Sequence, residues 1–281
     1  MPADTSSSPE AYRACLVVPV YEHHEALGRQ LPELRALGLC VLLIDDGSGA
    51  ECSAALRAMA GQDTGSLDAA GPDAAARAVA ATGAAGPDSA ALSAPIRLIR
   101  RGKNGGKGAA VKQALRLAQE LGFTHAVQVD ADGQHDLAAL PRLLEASKRE
   151  PGAVICADPV FGADAPLARR RWRRLTNFWM AVNTLSLAVA DGMCGLRVYP
   201  LAAVLPLLGP TGDRMEFDPE ILVRLAWAGL PLRFLPAAVR YPADGSSGFR
   251  AFEDNVRISW MHTRLFFGML ARSPRLLLRK L

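Results

Sequence analysis

The chain has 281 residues, half of them hydrophobic and 21% charged, a globular balance with length enough for a sizeable core. Its 32 basic and 28 acidic residues leave a net charge of only +4, which argues against a general nucleic-acid binder. The cysteines (Cys15, Cys40, Cys52, Cys156 and Cys194) are scattered without a CxxC pair, so they read as reduced thiols and argue against a zinc site.

Residues 1–13, MPADTSSSPEAYR, lack the apolar core of a signal peptide and read as a disordered tail. Ala14–Tyr21, ACLVVPVY, reads as a buried strand, followed by a helix over Glu25–Leu37 with Leu27, Leu31, Leu34 and Leu37 on one face. Cys40–Ile44 is a second buried strand ending at the turn signal Asp45-Asp46-Gly47-Ser48. Residues 60–94 turn to Ala, Gly, Asp, Ser and Pro and read as a flexible low-complexity insertion. A strand at Ile96–Ile99, a helix over Ala109–Leu121 and a strand at Ala126–Val129 follow, then a helix over Leu137–Arg149 and a strand at Ala153–Cys156. Beyond these, the pattern predicts a helix over Arg169–Ala190, an irregular Gly192–Tyr199, a helix over Glu216–Ala228 and a strand at Leu232–Tyr241. A basic, amphipathic helical segment closes the chain over 251–281. No run reaches the roughly 18 apolar residues that a membrane span needs. Strands alternating with helices predict an α/β fold, a mostly parallel sheet flanked by helices. Ligands bind such sheets at the carboxyl ends of the strands, where the polar clusters of this chain fall.

The stretch Arg101–Ala110, RGKNGGKGAA, looks like a phosphate-binding P-loop. The spacing is wrong, however, and Gly108 stands where the metal-binding Ser or Thr belongs. Two readings remain: a turn before a helix, or a helix N-terminus with lysines that helps to hold a diphosphate. Lys103 has no assigned role. Asp130-Ala131-Asp132 ends a buried strand, and Gln134 adds an oxygen two residues on. Two carboxylates so spaced can share a hard divalent cation, Mg²⁺ or Mn²⁺, with phosphate oxygens, although acidic pairs are also common in plain turns. His135 is a neighbour of this group rather than a ligand.

Taken in order, Val18-Pro19-Val20-Tyr21-Glu22, Ile44-Asp45-Asp46-Gly47-Ser48, Asn104-Gly105-Gly106-Lys107-Gly108-Ala109-Ala110 and Asp130-Ala131-Asp132-Gly133-Gln134 resemble a family 2 glycosyltransferase of the GT-A fold. Asp191 to Arg197 and Glu216 to Glu220 resemble two further motifs of dolichyl-phosphate mannosyltransferase-like members. The resemblance spans residues 14–250. It implies a Rossmann-like sheet and an inverting transfer from a UDP- or GDP-linked sugar. In that scheme Pro19, Tyr21, Glu22, Asp45 and Asp46 hold base and ribose, Lys107 faces the diphosphate, and Asp130, Asp132 and Gln134 bind metal and diphosphate. The pattern departs at His23, Cys194 and Leu196, and again over 244–250, which bears on the acceptor.

A lipid phosphate acceptor needs cations and no strong base, whereas a hydroxyl needs a carboxylate to take its proton. Asp191 leads as base, with Glu216 and Asp218 behind it, and Arg197 is a candidate phosphate clamp. Against these stand a turn role for Asp191 and an internal salt bridge for Arg197. The basic run Arg169–Arg174, followed by Phe178, Trp179 and Met180, reads either as a solvated helix face or as a membrane-surface helix. The aromatic and basic C-terminal segment points the same way, with core packing as its alternative. The expectation is a cytoplasmic enzyme, peripheral on the inner membrane face, that glycosylates a lipid-linked acceptor, polyprenyl phosphate first and a glycolipid hydroxyl second. The rival classes are a nucleotidyltransferase and a non-catalytic binding module.

Overall fold

The computed structural model describes residues 11–61, 67–68, 95–161, 167–239 and 250–279. The expected tail lies outside these residues up to position 10, as does most of the 60–94 insertion. Among the described residues eight strands run in chain order as β1 (Ala14–Val20), β2 (Val41–Asp45), β3 (Leu67–Asp68), β4 (Ile96–Arg100), β5 (His125–Gln128), β6 (Val154–Phe161), β7 (Arg197–Pro200) and β8 (Leu232–Val239). The helices are α1 (His24–Ala36), α2 (Ala50–Ala60), α3 (Lys107–Glu120), α4 (Leu140–Arg149), α5 (Leu167–Thr184), the short α6 (Leu201–Val204), α7 (Phe217–Ala228) and α8 (Ala251–Leu278).

The strands form one sheet in the order β3-β4-β2-β1-β5-β7-β6-β8. Every pairing is parallel except the two made by β7, which runs antiparallel to both β5 and β6. Because β7 reverses twice, β5 and β6 point the same way, and the carboxyl ends of β1, β2, β4, β5, β6 and β8 share one edge. The continuous apolar strands ACLVVPV and VLLID follow from burial on both faces. One face is covered by α1, α2 and α4 through Leu27, Leu56 and Leu143. The other is covered by α3, α5, α7 and α8 through Val111, Met180, Ile221 and Met261.

The fold class matches the expectation, and several elements depart from it: β3 lies within the stretch read as a flexible insertion, α6 was not expected, β6 runs on to Phe161 beyond the expected Cys156, and three others differ as follows. β7 falls where an irregular stretch was expected, because four residues are too few to show alternation. α2 was not anticipated: its alanines merge with the insertion that follows, and only Cys52, Ser53, Leu56 and Ala60 mark its buried side. α5 stops at Thr184 rather than Ala190, where Leu185 takes the left-handed φ of 51° and the Thr184 hydroxyl donates to the Met180 carbonyl at 2.8 Å.

α5 and α8 pack through a small polar contact inside an aromatic shell. The Asn183 amide nitrogen lies 3.1 Å from His262 Nδ1, and Trp179 stacks on the imidazole at 6.3 Å between ring centroids. Burial pushes the His262 pKa down to about 4. The folded state therefore binds this proton less readily than the unfolded chain, whose histidine titrates near ~6.5. The stabilisation from a neutral His262 is complete above that value and is lost as pH falls toward 4. Thermal melting should drop over this window, and His262→Gln should flatten the drop; an unchanged pH profile in the variant would refute the assignment.

Candidate functional site

The carboxyl edge collects side chains from distant parts of the chain. Register places Val20 of β1 beside Asp45 of β2, and Asp45 beside Arg100 of β4. The ends of β1, β2 and β4 therefore stand level, and Tyr21, Glu22, Asp46 and Arg101 follow them directly. Tyr21 is exposed at the rim and Pro19 is half-buried. Glu22 has a left-handed φ of 57° and accepts the Gly49 amide at 2.6 Å, which ties β1's end to the start of α2.

The glycine-rich stretch is explained by Asp46. Its carboxylate accepts the amides of Gly105 at 3.0 Å and Gly106 at 2.7 Å, and it pairs with Arg101. Burial raises the Asp46 pKa, while these donors and Arg101 oppose that shift. The amides that would cradle a phosphate in a P-loop thus hold an internal carboxylate. Gly106 has φ 102°, and a Cβ there would lie 2.5 Å from the Asp213 carbonyl oxygen; one on Gly108 would lie 2.6 Å from Phe217 Cβ. The glycines let α3 start hard against the 212–217 segment. Lys112 secures that approach, reaching the Thr211 carbonyl at 2.9 Å and Asp213 at 2.6 Å. Lys103 is exposed. Asp45 is likewise engaged, accepting from the Ser48 amide and the Ser53 hydroxyl, both at 2.8 Å.

Lys107, in the first turn of α3, lies between two carboxylates. Its Nζ is 2.8 Å from Asp130 and 2.6 Å from Asp218. Burial works against its charge, but the two carboxylates outweigh it and hold the lysine pKa above the ordinary value. Burial likewise opposes charge on Asp130, and Lys107 with His135 overcomes it, so the Asp130 pKa lies below the usual carboxylate range. His135 Nε2 is 3.4 Å from Asp130, and its Nδ1 is 3.9 Å from Cys194 Sγ. Gln128 donates to Asp218 at 3.1 Å. Gln128 was missed, although a polar residue inside a buried strand is a readable signal.

Asp132 differs from its neighbour. One of its oxygens accepts the Gln134 amide at 3.0 Å, and the other has no protein partner among the described residues. No three His, Cys, Asp or Glu side chains converge as a metal cage among the described residues. A divalent ion here would take one carboxylate from the protein and complete its shell with phosphate oxygens and water, the ordinary Mg²⁺ arrangement. The Asp132 carboxylate fits such a shared ion, with the Gln134 amide closing the turn on its other oxygen. Asp130 is not offered as a free ligand, since Lys107 holds it.

The residues expected to do the chemistry are largely engaged in holding one another. Asp191 is 2% exposed and accepts from Arg173 Nη2 at 3.1 Å, Met193 N at 2.9 Å and Cys194 N at 2.7 Å. Arg197 is fully buried and donates to the carbonyls of Asp218 at 2.8 Å and Gly192 at 2.9 Å, so it braces the site from beneath and does not reach an acceptor phosphate. Glu216 accepts the Arg214 amide at 3.3 Å, and Glu220 pairs with Arg224 and Arg264. Arg173, the partner of Asp191, carried no signal that set it apart within a run of arginines.

Against known proteins, residues 80–202 match the family model described as glycosyl transferase family 2. That span holds Lys107, Asp130, Asp132, Gln134, Asp191 and Arg197. No curated protein sequence matches the chain. Solved structures do. Glucosyl-3-phosphoglycerate synthase from Mycobacterium tuberculosis, in complex with Mn²⁺, UDP and glucosyl-3-phosphoglycerate, is similar at 13% identity over 92% of this chain and 80% of that one, with a TM-score of 0.59. The same enzyme with Mn²⁺ and UDP-glucose gives 13% identity, 93% and 79% coverage and a TM-score of 0.57. With Mn²⁺, UDP and phosphoglyceric acid it gives 13%, 92% and 78%, and 0.58. At this identity the likeness establishes the fold, which is the GT-A arrangement.

Proposed function

Since the chain carries a family 2 glycosyltransferase domain and is an enzyme of that class, we propose that it moves a glycosyl unit from a UDP- or GDP-linked sugar to a lipid-borne acceptor. The observation that carries the reading is the division of labour in Asp130-Ala131-Asp132. Lys107 neutralises Asp130, and Asp132 keeps an oxygen for a shared cation. When bound, Mg²⁺ or Mn²⁺ at Asp132 and Gln134 offsets charge on the departing nucleoside diphosphate. Tyr21 and Glu22 border the space for base and ribose. The crystallised relatives described above bind Mn²⁺ with UDP, which supports the donor half. The finer likeness to dolichyl-phosphate mannosyltransferase-like enzymes rests on sequence motifs alone.

The lipid half rests on exposed apolar surface. On α8, Phe252, Val256, Trp260, Phe267 and Leu270 are exposed at helical spacing, and α5 adds Trp172, Leu175 and Phe178. Exposed Arg171 and Arg174 flank the α5 group, and Arg264, Arg272 and Arg275 lie along α8. Aromatics beside arginines suit an anionic lipid surface. Among the described residues no helix is long and apolar enough to cross a membrane, so the association proposed is peripheral.

A panel of UDP- and GDP-sugars with Mn²⁺ should include at least one that raises the melting temperature. That donor should release nucleoside diphosphate when lipid vesicles are added. Stabilisation by no nucleotide sugar would remove the reading. Pyrophosphate release from a nucleoside triphosphate would favour nucleotidyl transfer instead.

A further inference from the structure

Building on the glycosyltransfer reading, we propose that Asp158, midway along β6, is the general base that takes the proton of an acceptor hydroxyl. Asp158 lines a cleft of about 230 Å³ with Phe161, Arg173, Asn177 and Asp191. The neighbouring carboxylates at this edge are committed. Asp45 and Asp46 hold turns, Asp130 and Asp218 share Lys107, and Asp191 is bound by Arg173 and two amides. Among the described residues no hydrogen bond or ion pair within 4 Å engages the Asp158 side chain, although Arg173 acts on it electrostatically, and it is only half-buried.

Strand register sets its position. Gln128 of β5 and Cys156 of β6 both stand opposite Arg197 of β7, one on each side. Continued two residues along each strand, the register brings Asp130, Gly195 and Asp158 level on one face of the sheet. Asp130 and Asp158 are then two strands apart, roughly 10 Å at ordinary strand spacing. Between them Gly195 presents no side chain, and a Cβ there would run into the Asp130 carboxylate. The missing side chain lets the Asp130 carboxylate lie over Gly195, which brings the donor-side carboxylates toward Asp158 on the same face.

The chemistry follows from that placement. The acceptor oxygen forms a bond to the anomeric carbon, and its proton passes to the Asp158 carboxylate. The bond from that carbon to the diphosphate oxygen breaks, and its electron pair leaves on the nucleoside diphosphate. Burial and the charge of Asp191 raise the Asp158 pKa, with Arg173 opposing, which moves the group toward a working base. The charge pattern selects the acceptor class. Arg173 is consumed by Asp191, and although exposed Arg174 also lines the cleft, an acceptor phosphate would still meet Asp158 as a like charge. A hydroxyl on a lipid or glycolipid suits the cleft, in place of the polyprenyl phosphate expected from sequence.

The test uses the full chain, Mn²⁺ and the donor that stabilises it most in the UDP and GDP panel. Acceptors are n-octyl glucoside, farnesyl phosphate and water. We expect transfer to octyl glucoside or to water, with Asp158→Asn lowering the rate at least ~100-fold while donor Kd and melting temperature hold. Undiminished turnover in that variant, transfer confined to farnesyl phosphate, or donor binding with no turnover on any acceptor would each overturn the assignment. Absence of donor binding is a separate result, and it strikes the glycosyltransfer reading beneath the proposal.

Discussion

Lys107→Met should cost about 3–5 kcal/mol at neutral pH, because it takes from two buried carboxylates the cation they share. Asp130 is 15% and Asp218 4% exposed at the side chain, and each sits within 2.8 Å of the lysine nitrogen. Methionine fills much of the volume and restores none of the charge. With Lys107 gone, Asp130 keeps only His135 among the described residues, and Asp218 keeps only Gln128 and, at 3.8 Å, Arg197. Adding Asp218→Asn should recover part of the loss by removing one stranded charge. Denaturant melts across pH measure all three proteins. A variant as stable as the parent at neutral pH would show that the lysine is not the keystone of this network.

Asp132→Ala should do the reverse, sparing stability and removing activity. The Asp132 carboxylate makes one turn hydrogen bond within the protein, so its loss should scarcely move the melting temperature. Turnover of the nucleotide sugar should fall about 100-fold or more, since a Lewis-acidic cation supplies several kcal/mol to leaving-group departure. Asp130→Ala should instead destabilise, because it strips Lys107 of one counter-ion. Two carboxylates separated by one alanine would then sort by phenotype, one structural and one catalytic. Full turnover in the Asp132 variant with Mn²⁺ present would end the metal assignment at this residue.

Much of the architecture was readable in one dimension. ACLVVPV is a continuous apolar run and VLLID is one up to its closing Asp45, and each became a strand buried on both faces. The leucines of α1 at helical spacing face the core as expected, with Leu27, Leu31 and Leu34 buried. The strands that were read correctly end in polar clusters, and a parallel sheet gathers strand ends at one edge. The elements that escaped are those with weak local signal. β7 is four residues long, and α2 shares the alanine-rich composition of the insertion after it.

The roles of individual side chains escaped for a different reason. Asp45, Asp46, Asp130, Asp158, Asp191 and Asp218 are alike as letters, and all but Asp158 follow or adjoin a turn or helix start. What separates them is which cation or amide reaches each one, and those partners come from afar. Lys107 meets Asp218 across 111 residues of chain, and Asp46 meets the Gly106 amide across 60. Hydrophobic periodicity is a local property, so sequence alone determined the α/β layering, the shared binding edge and the set of candidate carboxylates. Ion pairing and desolvation depend on distances that exist only after the strands are in register. The folded chain therefore decided that Asp46 fills its own glycine turn, that Lys107 serves Asp130 and Asp218, and that Asp132 and Asp158 are left available.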